Sequence, residues 1–169
     1  MKRIILVLVI CCLGKFLLAQ DTIHMNGEGK DFIGTWSAIQ DSSIYEIYFQ
    51  VCFIHDNTRK VSVEYIIGSI KKITNGKVDF FLKYDDRQKF FAPMLGKVED
   101  SYHMNMYCED MLVRRRGKLT FTLTDNRNRA IWKLEPDETN DLVSSIDLRP
   151  FKIPKELIFI RKNNFQQDN

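Results

Sequence analysis

Three histidines, a few paired carboxylates and one arginine run are the residues of this 169-residue chain whose types admit chemistry. His24 lies in a polar stretch beside Gly27 and Gly29, and His55 opens a turn, so neither has the rigid support that a metal ligand or general base requires. His103 is the strongest of the three, with Glu99, Asp100 and Cys108 close in sequence. On a strand, Glu99 shares its face while Asp100 and Cys108 take the other, and that alternation disperses the set. Carboxylates are adjacent at Asp85-Asp86, Glu109-Asp110 and Asp137-Glu138, the last followed by Asp141. Glycoside hydrolysis needs two carboxylates about 5–9 Å apart across a cleft, which adjacency does not provide. A dedicated calcium loop needs alternating ligands and a glycine, which the 137–141 stretch lacks. Arg114-Arg115-Arg116 with Lys118 offers a patch for anionic lipid, polysaccharide or protein; the plainer reading is a charged strand edge kept soluble and unpaired. There is no G-x-S-x-G elbow, H-E-x-x-H helix, C-x-x-C pair, phosphate loop or dinucleotide fingerprint. The sequence therefore points to no catalytic residue, no metal site and no cofactor.

The start of the chain sets the compartment. Lys2 and Arg3 precede an apolar run from Ile4 to Leu13, and Leu17-Leu18-Ala19 forms the exit, the anatomy of an export signal over residues 1–19 cut before Gln20. A membrane span needs about 20 apolar residues, and Lys15 interrupts this run first. Cys11 and Cys12 raise lipid modification as a rival, but Ile10 stands where a small residue is needed. The expected location is periplasmic or extracellular, with no transmembrane segment once the signal is removed. Of the 25 lysines and arginines, Lys2, Arg3 and Lys15 leave with the signal, so the mature chain balances 22 cations against 22 acids. A neutral exported chain has no general pull toward nucleic acid. Removal of the signal also takes two of four cysteines, leaving Cys52 and Cys108 as one candidate disulfide worth roughly 2–4 kcal/mol, or as two unpaired residues.

The elements that must carry these residues are strands. Residues 20–31 have no period and read as a flexible leader. Phe32, Gly34, Trp36 and Ala38 then share one face. Tyr45, Ile47, Phe49, Val51 and Phe53 form an unbroken apolar face, the expected wall of a core. His55-Asp56-Asn57-Thr58 turns into Val61, Val63, Tyr65 and Ile67, with Gly68 as a candidate bulge. Asn75-Gly76 is a type I′ signal leading to Val78, Phe80, Leu82 and Tyr84. Residues 85–94 are read as a loop with one helical turn, and 96–107 alternate in part. Leu119, Phe121 and Leu123 alternate with Thr120, Thr122 and Thr124, the cleanest pattern in the chain, and Trp132 and Leu134 answer them after a polar turn. Residues 136–150 are a polar excursion, 157–161 a last strand and 163–169 a loose tail. No apolar period of 3.6 persists over three turns.

About eight strands joined mostly as hairpins predict an all-β fold over 32–162: a single antiparallel barrel, with a β-sandwich as the alternative. Roughly 150 mature residues suffice for one domain with its own core. Trp36, Phe49, Tyr65, Phe80, Phe121 and Trp132 are the interior candidates, either lining a site for a small apolar ligand or filling the space. The activity expected is that of a non-enzymatic module meeting such a ligand or an envelope protein. A secreted hydrolase whose acids converge only on folding is the alternative.

The signal ending Ala19-Gln20, Phe32-Ile33-Gly34-Thr35-Trp36, Leu119-Thr120-Phe121, Ile131-Trp132-Lys133-Leu134 and the closing Ile153-Pro154, Leu157 and Lys162 together resemble a family of small exported Bacteroidetes-type proteins of unknown function. At the level of fold, Gly34-x-Trp36 is similar to the first strand of lipocalin-like barrels. That resemblance implies a tryptophan at the closed end covered by a basic residue of the last strand, and Arg161 is the residue that would stack on Trp36.

Overall fold

The computed structural model describes residues 22–23, 28–84, 92–137 and 150–162. The export segment 1–19, the tail 163–169, His24, Asp85-Asp86, Glu138 and Asp141 lie outside them. The elements are β1 (Thr22–Ile23), a 3-10 turn (Glu28–Asp31), β2 (Gly34–Gln40), β3 (Ser43–Asp56), β4 (Val61–Thr74), β5 (Lys77–Leu82), β6 (Met94–Val98), β7 (His103–Asp110), β8 (Arg115–Leu123), β9 (Arg129–Pro136) and β10 (Glu156–Arg161). Strands follow one another around a ring in the order β4-β3-β2-β10-β9-β8-β7-β6, and β6 pairs back onto β4 to close it. Eight antiparallel strands thus make a closed up-and-down barrel, consistent with a lipocalin-like one.

Strand β4 is the hinge of this closure. One edge bonds β3 along its whole length. The other is shared in turn by β1 at Ser62–Val63, β6 at Ile66–Gly68 and β5 at Ile70–Thr74. The leader therefore contributes a short parallel strand as well as the 3-10 turn. Both turns flanking β3 and β4 on one side use left-handed residues: Asn75 and Gly76 have φ of 51° and 75°, and Asp41 and Ser42 have 48° and 62°. The first pair is the glycine-bearing I′ signal; the second makes the same kind of tight connection without glycine, where Asp is among the residues that tolerate the αL region.

Inside the ring, alternation does what a small barrel requires. Phe121 of β8 lies opposite Met104 of β7 and Trp132 of β9, and Leu119 lies opposite Met106 and Leu134, all of them buried. Phe121 is the centre of the interior. Its ring meets Phe49 at 5.1 Å and Trp36 at 5.2 Å in edge-on contacts, with Phe159 at 6.0 Å and Phe32 at 6.5 Å. Both buried indoles keep a hydrogen-bond partner: Trp36 Nε1 donates to the Phe32 carbonyl and Trp132 Nε1 to the Pro154 carbonyl, each at 2.9 Å. An eight-strand barrel has an interior just wide enough for side chains, and these rings occupy it.

Three expectations about faces are corrected. Val51 and Phe53 are 40% and 46% exposed, because β3 outruns the ring and the apolar wall ends at Phe49. Tyr65 lies on the outer face: it pairs with Cys52, whereas Ile66 and Gly68 take the inward positions opposite Val51 and Phe49. Three consecutive apolar residues, Tyr65, Ile66 and Ile67, fit either parity, and only pairing with β3 decides. Gly68 interrupts no register; a Cβ there would come within 2.8 Å of Met94 and Phe49 side chains. The bulge falls instead in β5, where Val78 opposes Ile73 and Phe80 opposes Lys72, leaving Asp79 extra to bond Thr74 and Lys72.

Polar groups fasten the seams. Asp110, fully buried, accepts from the backbone N–H groups of Leu112, Lys152 and Ile153 at 3.1, 2.6 and 3.2 Å, tying the approach to β10 onto the β7–β8 turn. Glu46 on β3 is held by Lys162, beyond β10, and by Lys71 of β4 at 2.6 Å. Hydrogen bonds from Lys162 and then Lys71 keep its carboxyl below the ordinary carboxylate range, against the opposing effect of burial.

Two outcomes follow from this packing. Phe121→Ala is expected to cost about 3–5 kcal/mol by loss of transfer energy and a central void, read as a lowered urea midpoint. For Glu46 the folded pKa is depressed, so its contribution is present above the unfolded value and disappears as pH falls through the folded one. Glu46→Gln is therefore less stable than the parent at pH 7, and the gap closes progressively below about pH 4.5. Urea titrations of both proteins between pH 7 and 2.5 measure it (on the order of ten pH points suffices).

Candidate functional site

Of the six interior candidates, Trp36, Phe49, Phe121 and Trp132 are fully buried in one cluster, and Phe80 packs against it partly exposed. Tyr65 is not among them. It lines a recess of the outer wall, a groove of about 650 Å³ over β4, β6, β7, β8 and β9.

Gly96 lies in the groove, where β6 approaches β7 so closely that a Cβ would lie 2.1 Å from the Asn105 carbonyl oxygen and 2.5 Å from the Met106 Cα. Only glycine permits that approach. Two cross-strand rows face the recess. Lys97, Asn105 and Thr120 are successive neighbours in one. Leu95, Tyr107, Lys118 and Glu135 are successive neighbours in the next. Tyr65 stands at the β4 side with the Lys97 ammonium 4.7 Å from its ring centroid. Behind Leu95, a small outer core of Ile67, Tyr84 and Ala92, with Cys52 packed on it, stiffens this side of the wall. Tyr107 is 55% exposed and presents its ring to the solvent side. Lys118 is drawn to Asp137 at 3.4 Å, whose side chain is only 3% exposed.

Of the chemistry-bearing residues singled out in the sequence, Lys118 lines the groove and the histidine and carboxylate candidates within the described residues do not. His103 Nδ1 lies 2.9 Å from both oxygens of Asp100, the neighbour that strand alternation had set on the opposite face. Residues 99–102 turn rather than extend, and Asp100 accepts from the N–H groups of Tyr102 and His103. The Tyr102 N–H first, and the His103 side chain next, hold the Asp100 carboxyl low. This is an exposed turn, not a cleft. Among the described residues no three His, Cys, Asp or Glu gather to hold a metal. Arg114 sits in the β7–β8 turn at φ 51°, Arg115 lies over Phe151, and Arg116 reaches Glu109 at 3.9 Å and the Tyr107 ring at 5.9 Å. The run is dispersed among separate partners.

Arg161 lies over the Trp36 indole at 4.5 Å and donates to the carbonyls of Ile33 at 3.2 Å and Asp31. Arg127 joins from the β8–β9 turn to the Asp31 carboxylate. The leader's 3-10 turn is thereby fixed beneath the barrel, a structural role that leaves this end closed. Cys52 and Cys108 are both free thiols. Cys108 is in the core, and Cys52 is outside with its sulfur 3.8 Å from the Tyr84 hydroxyl. Burial, reinforced by Asp110 and Glu109, pushes the Cys108 thiol up, which suppresses the thiolate.

The groove escaped the sequence because Lys97, Asn105, Tyr107, Lys118, Thr120 and Glu135 each look like an ordinary outer position until the strands are assembled, while Tyr65 was assigned to the interior. Gly96 within a strand was the available signal. A scan against protein-family models and searches of curated proteins and of solved structures return no match. Among the described residues no helix is long and apolar enough to cross a membrane.

The placement of the thiols gives a direct check. In the native mature chain Cys52 is expected to react with a soluble thiol reagent well before Cys108, which becomes accessible only on unfolding; mass mapping of the first modified site distinguishes the two.

Proposed function

We propose that this chain is an exported, non-enzymatic binding module whose filled barrel is a frame and whose ligand or envelope partner docks in the outer groove. The observation that carries the reading is where space lies. Phe121 and its surrounding rings take up the interior, while the groove's roughly 650 Å³ falls within the usual size of small-molecule sites. Side chains aimed outward can vary without disturbing the core, which suits a recognition surface. The enzymatic alternative has less support: among the described residues Glu135 is the one carboxylate lining the groove, and paired-acid hydrolysis needs two. Export rests on the basic and apolar start of the chain.

Native mass spectrometry of the protein purified from its own host tests the reading. The parent is expected to retain a bound species that Tyr107→Ala combined with Asn105→Ala releases, while Ile66→Val in the interior leaves it bound. A species that survives the double substitution and is lost from the interior variant overturns the outer site.

A further inference from the structure

Resting on the groove as the binding site, we infer that its ligand is a neutral oligosaccharide of a few pyranose units. Charge is the first argument. Lys118 has Asp137 at 3.4 Å, Arg116, which lies over the Tyr107 ring, has Glu109 at 3.9 Å, and Lys97 is balanced in number by Glu135, so the recess and its rim hold no net surplus for a phosphate or an acidic chain. Backbone is the second. The floor strands β7 and β8 are hydrogen-bonded on both sides, to β6 and β8 and to β7 and β9, so the floor offers an extended peptide no free edge to join. A lipid tail would cover Asn105, Thr120 and Glu135 without satisfying them, a costly burial of polar groups.

A pyranose ring has an apolar C–H face and a rim of hydroxyls that both donate and accept. The groove has the matching layout. Tyr107 and Leu95 are cross-strand neighbours and supply an apolar platform. The adjacent row, roughly 7 Å away along the strands, holds Asn105 and Thr120, which donate and accept, with Lys97 as a donor steadied over Tyr65. Glu135 adds acceptors at the far end of the platform row. A ring seated on Tyr107 reaches the polar row with its hydroxyls, and the length of the groove across five strands admits further units.

The test is amide chemical-shift mapping of the mature chain. The probes are two neutral saccharides, a β-1,4-linked N-acetylglucosamine tetramer and maltotetraose, with laurate and inorganic phosphate as comparators. Either saccharide is expected to shift amides at 95–97, 105–107 and 118–120, and Tyr107→Ala to weaken its Kd about tenfold or more. Tyr107 is exposed, so that variant keeps the native spectrum elsewhere. Shifts at those amides from laurate or phosphate alone overturn the saccharide and leave the groove standing. No groove shifts from any probe overturn both.

Discussion

The interior of this eight-strand barrel is packed around one residue, Phe121. Every inward element is arranged around it: Phe49 and Trp36 edge-on from β3 and β2, Phe159 from β10, and Phe32 from the turn below. A ring at the centre of other rings gains dispersion contacts on all sides and leaves little void. On the proposed reading, recognition then falls to the outer wall.

Closure is the second constraint, and it is achieved with unequal strands. Strand β4 has 14 residues against 5 in β6, so one edge of β4 must be divided among three partners. β6 meets β4 at one side and β7 at the other, and the absence of a Cβ at Gly96 allows its close approach to β7. The recess on the outer wall lies along this closure. The opposite seam, between β2 and β10, has a short ladder and is reinforced by side chains: Arg161 on Trp36, and Lys162 with Lys71 on Glu46.

Much of the architecture was legible in the alternation of Leu119, Phe121 and Leu123 with their threonines, and in the Asn75-Gly76 turn, because these are local signals with one physical reading. Trp36 with Arg161 was legible only through likeness to a known kind of barrel, since their 125-residue separation carries no local trace. Legibility failed where a segment was apolar on both faces. Tyr65-Ile66-Ile67 gives no parity of its own, and Val51 and Phe53 alternate correctly yet lie past the rim. The candidate site was almost wholly hidden. Asn105, Tyr107, Thr120 and Glu135 are ordinary solvent-face residues one strand at a time, and it takes the assembled curvature to make them neighbours.

That distinction bears on how such a module works. Along β7 and β8 the inward residues Met104, Met106, Leu119 and Phe121 hold the barrel, while the outward residues between them face the groove. Period-two geometry therefore places core packing and the groove surface on the same strands but on opposite faces. An outward substitution changes the groove surface with little effect on the packing beneath it, and an inward one does the reverse. Gly96 is held by backbone contact, because a Cβ there would collide with Asn105 and Met106 of β7. On the proposed reading, the described residues that line the groove stand on strands of the wall, and pre-organisation of that kind lowers the ordering cost of binding.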